Sequence, residues 1–334
     1  MRVLISRTDV LGDAVVTSAF IHSLSQVLPN LELDILCHHH NLPAFRYHPL
    51  VKQIYTLNHH QGTKKLADNW FDVTQNINAN LSGYDFILQL NGCIRSYFYI
   101  SKIKARQVIV RKLITKSFRS KMLMLKYKCV DKFEFFEENV NQHEVTRLHQ
   151  FLDYVLNEIN IDGQYQIPDI ARFYPGAQYV RDWISGSVLF NASGKKEVAR
   201  YMNDSLLYSL IAHCKNLQVS KMGVIITTED KERIMRIIND LDMNNQIDII
   251  MDTDLYSLAK TIGEYETFIG VDGGLTHIAA GLGLKCITLF DKQDSQIWHP
   301  WSPTQISLQS QNKNIYDISY QEVINSLLEL RDAR

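Results

Sequence analysis

Short apolar stretches of strand type alternate with helical stretches along the chain, and this order constrains the fold more than any other feature of the sequence. In the first half, the strand-like "RVLIS" is followed by the helical pattern of "AVVTSAFIHSLSQVL" and then by the strand-like "LELDILC". The second half repeats the same order from residue 186 onwards. A strand, a helix and a further strand indicate a βαβ unit and hence a parallel sheet. We therefore predict an α/β protein with two doubly wound domains that face each other across a cleft.

A stretch between residues 160 and 185 contains both glycine and proline with little periodicity, which is typical of a linker. It divides the chain into a domain over 1–170 and a second domain over 180–318. The tail, 319–334, has the pattern of a closing helix.

Composition limits the class of protein. Of the 334 residues, 46% are hydrophobic and 21% are charged, which favours two well-packed domains over disorder. The net charge of −1 argues against a nucleic-acid binder. Five scattered cysteines without a CxxC pair favour a reducing, cytoplasmic compartment. We expect neither a signal peptide nor a membrane span, since no apolar run is long enough.

The segment "FIGVDGGLTHIAAGLGLKCITLF" carries polar residues where a strand ends, and ligands of doubly wound sheets bind beyond such ends. Gly273 and Gly274 allow a sharp turn and a close approach of the backbone to a ligand. The helix that follows presents unpaired amides suited to a diphosphate. Thr276 and His277 can reach the same anion or its sugar. Alternatively, Asp272 only caps the helix and His277 faces a neighbouring side chain.

The loop "SRTDVLGDAVVT" follows the first strand and contains Gly12 and Asp13. Asp13 is either a helix-capping acid or a general base, with Gly12 leaving room for a substrate. A single glycine does not fit the GxGxxG pattern of a dinucleotide site.

Two further strand-end loops carry charge. The first contains Ser193, Lys195, Lys196 and Arg200, which either bind the predicted diphosphate or form a solvated basic loop. The second contains Glu229. Its carboxylate either accepts a hydrogen bond from the nucleotide's base amino group or ribose hydroxyls, or caps the next helix.

The segment 102–128 contains ten Lys or Arg residues and no acid, and the segment 131–144 that follows is acidic. The basic segment, with its interleaved apolar residues, favours contact with an anionic lipid surface or a phosphorylated glycolipid. Alternatively, the two segments pair with each other.

The consecutive histidines 38–40 do not have the spacing of a metal site, and we predict no metal.

The opening "MRVLISRTDVLGDAVVTSAF" and the segment from 268 to 290 together resemble the lipopolysaccharide heptosyltransferases, glycosyltransferase family 9. The later segment is similar to the family's D-[TSG]-G-x-x-H donor-site signature, whereas residues 60–180 show no match. The resemblance implies a GT-B fold with Rossmann-like domains, the acceptor bound by the first and the nucleotide sugar by the second. It also implies an ADP-heptose donor, a lipopolysaccharide core acceptor and inversion at the anomeric carbon. One departure from the family is Ala199, which stands where the family commonly has a lysine that helps hold the donor phosphates. Lys195, Lys196 or Arg200 would have to take over that role.

The resemblance implies that Asp13 is the catalytic base. The predicted donor-binding residues are Asp272, Gly273, Gly274, Leu275, Thr276, His277, Ser193, Lys195, Lys196, Arg200 and Glu229. The predicted acceptor-binding residues are Gly12, Arg95, Lys102, Lys104 and Arg106.

The predicted partners are the nucleotide-sugar donor and an anionic glycolipid at the cytoplasmic face of the inner membrane, with no required cofactor and no nucleic acid. Two alternatives stay open. One is a family 9 enzyme with another donor or a surface-polysaccharide acceptor. The other is a non-catalytic nucleotide-binding scaffold, which the departure at Ala199 would explain.

Overall fold

The chain divides into two compact units, Met1–Pro168 and Asp169–Arg334. The computed structural model describes residues 1–57, 83–91, 96, 99–101, 103–111, 133–137, 139–176, 179–194, 201–251 and 254–332. Within these ranges, twelve strands form two six-stranded parallel sheets, one in each unit.

The sheet of the first unit has the order β3-β2-β1-β4-β5-β6. Its strands are β1 (Arg2–Arg7), β2 (Glu32–His38), β3 (Val51–Leu57), β4 (Tyr84–Gln89), β5 (Ala105–Arg111) and β6 (Phe133–Phe136). The helices described in this unit are α1 (Leu11–Val27), α2 (Leu42–Phe45) and α3 (Glu144–Glu158).

The sheet of the second unit has the order β12-β11-β10-β7-β8-β9. Its strands are β7 (Ile184–Asn191), β8 (Met222–Ile226), β9 (Ile247–Met251), β10 (Tyr265–Val271), β11 (Lys285–Phe290) and β12 (Gln305–Gln309). The helices described here are α4 (Asp204–Asn216), α5 (Lys231–Asp240), α6 (Leu255–Gly263), α7 (Gly274–Gly281), α8 (Ser295–Trp298) and α9 (Tyr320–Asp332).

Both sheets have the same topology when their strands are counted from the start of each unit. The first strand of each unit pairs with the second on one side and with the fourth on the other, which is the doubly wound order. The direction in which successive strands are added to the sheet reverses between β1 and β4 in the first unit and between β7 and β10 in the second. A crevice at such a switch point is where ligands bind in this architecture. The predicted pair of doubly wound, Rossmann-like domains is confirmed.

The central strands are buried on both faces, which explains their continuous apolar sequence. In β1, every residue from Val3 to Arg7 is buried. Helix α1 covers this sheet and packs against α3, where the rings of Phe20 and Phe151 stack at 6.3 Å between centroids. The Ser23 hydroxyl of α1 lies 2.9 Å from Nε2 of His149 in α3, so a polar contact also joins the two helices.

No helix within the described residues is long and apolar enough to cross a membrane.

Candidate active site

A buried carboxylate lies at the switch point of the first sheet. Helix α1 begins at Leu11, directly beyond β1, and Asp13 in its first turn is only 9% exposed. Its Oδ1 is 3.6 Å from Nη2 of Arg7. Burial raises the pKa of Asp13 well above its ordinary value, and the negative charge of Asp9 raises it further against the opposing effect of Arg7. A carboxyl group with a raised pKa is a stronger base once ionised, which suits proton abstraction.

Arg7 holds this carboxylate in place. Its side chain is 1% exposed at the end of β1, and its Nε lies 3.0 Å from Oδ1 of Asp9. Its Nη1 donates to the carbonyl of Leu90, and its Nη2 donates to Oε1 of Glu144, both at 3.0 Å. The guanidinium is thereby fixed between β1, the end of β4 and the start of α3.

Glu144 is the centre of the surrounding charge network. Arg111 binds it through two nitrogens at 2.7 and 3.1 Å, and Nη1 of Arg147 lies 3.2 Å away. Burial alone would raise the pKa of Glu144, but Arg111 and Arg7 outweigh it and lower the pKa to about 2. Glu144 therefore stays ionised and balances the guanidinium charge beside Asp13.

The loop between β1 and α1 is fixed at its backbone as well. The carbonyl of Asp9 accepts from Nδ2 of Asn41 at 2.8 Å and lies 3.0 Å from Nε2 of His40. On the other side, Nδ2 of Asn91 donates to the Thr8 hydroxyl at 3.0 Å. Side chains that follow β2 and β4 thus hold the loop that carries the candidate base.

A turn and a helix start lie at the switch point of the second sheet. Strand β10 ends at Val271, and the N-cap residue of α7 is Gly273, which has no side chain to cap the first turn. Asp272 therefore does not occupy the N-cap position. The helix start leaves the N–H groups of Gly274 and Leu275 without an intrahelical acceptor, as an anion site requires.

Thr276 and His277 are both buried in the first turn of α7. The Thr276 hydroxyl donates to the carbonyl of Val271 at 2.9 Å, and its N–H donates to the carbonyl of Gly273, so both groups close the turn. Burial and, to a lesser extent, the neighbouring His299 lower the pKa of His277 to about 4. His277 is therefore neutral at pH 7, and its Nδ1 has no partner among the described residues. It can offer an anion a hydrogen bond but not a positive charge.

Two neighbouring loops carry the other described donor-site candidates. Ser193 follows β7, and its hydroxyl donates to the carbonyl of Ile225 at 3.4 Å. Glu229 follows β8 and is exposed, whereas its neighbour Asp230 is buried at the N-cap position of α5. The exposed carboxylate is thus the one that can meet a ligand.

The acceptor-site candidates are not all brought together. Gly12 lies beside Asp13 at the carboxyl edge of the first sheet, whereas Lys104 and Arg106 are exposed at the amino-terminal end of β5. The seven residues of β5 span roughly 20 Å at the usual rise per residue. Only Arg111, at the far end of that strand, reaches the network around Asp13.

Five predicted site residues lie outside the described residues: Arg95, Lys102, Lys195, Lys196 and Arg200. Within the part of the chain that the structure describes, no cluster of three or more His, Cys, Asp or Glu side chains could hold a metal ion.

The sequence pattern did not single out Arg7, Asp9, Arg111 or Glu144 as site residues. The available signal was Arg7 itself, because a charged residue that ends an otherwise apolar strand needs a buried partner. A buried acid at one switch point and a helix start at the other are the parts that a two-domain, Rossmann-like group-transfer enzyme requires.

Comparison with known proteins agrees with this description. The model of glycosyltransferase family 9 (heptosyltransferase) matches residues 72–327. Lipopolysaccharide heptosyltransferase 3 of Escherichia coli is 22% identical over 308 residues, which cover 88% of this chain and 85% of that protein.

Two solved structures have the same fold. A family 9 glycosyltransferase from Veillonella parvula has a TM-score of 0.79 at 14% identity, covering 100% of this chain and 97% of that one. The E. coli heptosyltransferase WaaC with ADP-2-deoxy-2-fluoro heptose has a TM-score of 0.72 at 16% identity, covering 98% of this chain and 99% of that one. The chain belongs to glycosyltransferase family 9, the heptosyltransferases, and it is a glycosyltransferase. The resemblance seen in the sequence is thereby confirmed.

Proposed function

We propose that this protein transfers heptose from ADP-heptose to a lipopolysaccharide or lipooligosaccharide core acceptor, with inversion at the anomeric carbon. The family match supports heptosyl transfer. The relatives support the choice of donor and acceptor, because one is named for lipopolysaccharide and another was solved with an ADP-heptose analogue. Transfer with another donor or acceptor and a non-catalytic scaffold are less well supported.

The observation that carries the proposal is the buried Asp13 carboxylate with its raised pKa beside Arg7. In the proposed reaction, Asp13 takes the proton of the acceptor hydroxyl as that oxygen attacks the anomeric carbon. The ADP diphosphate leaves from the opposite face with the electron pair of the glycosidic bond. Gly12 leaves space for the acceptor next to Asp13.

The donor is proposed to bind at the carboxyl edge of the second sheet. Amides at the start of α7 bind the diphosphate, supported by the loop that follows β7. Asp272 binds sugar hydroxyls, and neutral His277 donates or accepts a hydrogen bond. The exposed Glu229 carboxylate accepts a hydrogen bond from the ribose or the nucleotide's base. No residue in this scheme requires a metal or another cofactor.

Lys104 and Arg106 are proposed to contact the anionic acceptor or the cytoplasmic face of the inner membrane away from the reacting groups. Their exposure and charge support this role, and their place at the amino edge of the sheet separates it from proton transfer.

The test is transfer by the purified protein with ADP-heptose and a heptose-deficient core acceptor, next to UDP-GlcNAc and GDP-mannose as alternative donors. In the Asp13→Asn variant, we expect kcat to fall by roughly 100- to 10,000-fold, because general-base catalysis is lost. ADP affinity, measured by calorimetry, should stay unchanged. Full activity of this variant would contradict the base assignment, and transfer only from another donor would contradict the assignment of ADP-heptose.

A further inference from the structure

Arg7, the arginine beside Asp13, has a nearer carboxylate than Asp13 itself. Oε1 of Glu144 accepts from Nη2 of Arg7 at 3.0 Å, whereas Oδ1 of Asp13 lies 3.6 Å from the same nitrogen. The other two nitrogens of Arg7 are engaged as well. Nη1 donates to the carbonyl of Leu90 at 3.0 Å, and Nε lies 3.0 Å from Oδ1 of Asp9. Each nitrogen of this guanidinium therefore has a partner closer than Asp13.

Glu144 is fixed at this place from its other side. It is 3% exposed in the first turn of α3, and Arg111 binds its two oxygens at 2.7 and 3.1 Å. Such a bidentate pair sets the orientation of the carboxylate as well as its position. Nη1 of Arg111 also donates to the carbonyl of Leu90 at 2.7 Å, so Arg7 and Arg111 share two acceptors. Glu144 cannot follow Arg7 toward Asp13 without breaking its contacts with Arg111.

The gap between Arg7 and Asp13 decides what Asp13 can do. A close pair with a guanidinium favours the ionised carboxylate and typically lowers its pKa by about 1–3. It would also occupy an oxygen that has to accept the proton of the acceptor hydroxyl. Asp13 instead has a raised pKa, because burial and the charges of Asp9 and Glu144 outweigh the effect of Arg7. The described titratable groups of this network are Arg7, Asp9, His40, Arg111, Glu144 and Arg147.

We propose that Glu144 is a positioning residue of the transfer reaction, which binds Nη2 of Arg7 and thereby keeps the guanidinium from closing on Asp13. This inference rests on the proposed role of Asp13 as the general base. Glu144 acts through Arg7, so its loss should affect proton transfer and leave donor binding unchanged.

The experiment measures heptose transfer by Glu144→Gln across pH 4 to 8. The amide keeps the size of the side chain but loses its charge, so Nη2 of Arg7 becomes free to pair with Asp13. The pKa of Asp13 then falls, and its ionised form persists to lower pH. We expect the acidic limb of kcat/KM to move by about one pH unit or more to lower pH. On the plateau, kcat should fall about tenfold, because the paired carboxylate is a weaker base. KM for ADP-heptose and Kd for ADP should stay at their wild-type values.

Asp153→Asn is the matched control on the same helix, since it removes one negative charge from α3 as well. Asp153 is exposed, and its Oδ1 accepts from the Tyr165 hydroxyl at 2.6 Å. This variant should keep the wild-type kcat and the wild-type position of the acidic limb.

A wild-type kcat and an unmoved acidic limb in Glu144→Gln would overturn the inference, even if the melting temperature falls. If Glu144→Gln does not fold, Glu144→Asp decides. It keeps the charge but is one methylene shorter, so it cannot reach Arg7 while it binds Arg111 with both oxygens. We expect kcat to fall about threefold and the limb to move to lower pH, and wild-type values of both would overturn the inference.

Two further outcomes separate this inference from the proposed function. A wild-type protein that transfers heptose while Asp13→Asn keeps full activity would overturn the base assignment and this inference with it, but not heptosyl transfer. A wild-type protein that neither binds ADP nor transfers heptose would overturn the proposed function itself.

Discussion

Asp13 shows how neighbouring charges set the properties of one residue. Two acids and one guanidinium act on it: Asp9 and Glu144 raise its pKa, and Arg7 lowers it. Burial is the largest effect and works in the same direction as the acids. Transfer that depends on ionised Asp13 should therefore lose rate as the pH falls, at a pH above the ordinary range of an aspartate.

The contribution of Asp9 can be tested by its neutralisation. In Asp9→Asn, Arg7 acts on Asp13 with less opposition, so the pKa of Asp13 falls and its ionised form persists to lower pH. We expect the acidic limb of the pH profile of kcat/KM to move to lower pH. The measurement is initial transfer rate across pH 4 to 8 at subsaturating acceptor.

Asp34→Asn provides the matched control for this shift. Asp34 is also a buried acid paired with an arginine, since Arg2 donates to it at 3.0 Å and Tyr84 at 2.6 Å. It belongs to β2 and is not among the groups that chiefly shift the pKa of Asp13. If the acidic limb of the kcat/KM profile lies at the same pH in wild type and in Asp9→Asn, Asp9 does not set the pKa of Asp13.

The sequence predicted individual elements best where their pattern was local. Strands β1 and β2 and helix α1 lie where the stretches "RVLIS", "LELDILC" and "AVVTSAFIHSLSQVL" indicated them. Helix α3 was missed, because Glu144 was assigned to the acidic segment although Val145, Leu148 and Phe151 behind it have helical spacing. Strand β5 was missed because its apolar core, 108–110, is short and flanked by charge.

Helix α7 is placed by the close approach of its last residue to the start of the second unit. A Cβ at Gly281 would lie 2.7 Å from the carbonyl oxygen of Ala171 and 2.8 Å from the nitrogen of Phe173. Both are backbone atoms, so Gly281→Ala must displace a backbone segment. We expect it to lower the free energy of unfolding by about 1–3 kcal/mol, measured by urea denaturation.

Gly273→Ala, at the other end of the same helix, is the control for stability. Its φ of 167° is extended backbone, and the nearest atom to an added Cβ is the Val271 oxygen at 3.9 Å. Its stability should stay within about 0.5 kcal/mol of wild type, while ADP binding weakens if the diphosphate approaches this turn. Equal stability of the two variants would mean that α7 is not held at Gly281.

For the whole molecule, the alternation of strands and helices was sufficient to predict two doubly wound units. The strand order then places Asp13 and Asp272 at switch points, as the rule for strand ends anticipates. The network around Asp13 could not be predicted, because Arg7 and Glu144 are 137 positions apart and only the packing of α3 brings them together. The position of Lys104 and Arg106 likewise depended on recognising β5.

The division into two units leads to a final prediction about ADP. Every described group proposed to bind the nucleotide belongs to the second unit, so ADP alone should stabilise that unit first. In hydrogen–deuterium exchange with ADP, we expect slower exchange in peptides covering 186–194 and 268–281, and unchanged exchange in peptides covering 2–27. At a concentration of about 100 times Kd, the stabilisation of the nucleotide-bound state is about 2.7 kcal/mol. UDP at the same concentration serves as the matched control. Protection of 2–27 equal to that of 268–281 would contradict the assignment of the nucleotide to the second unit, since a ligand protects the amides that it binds or orders.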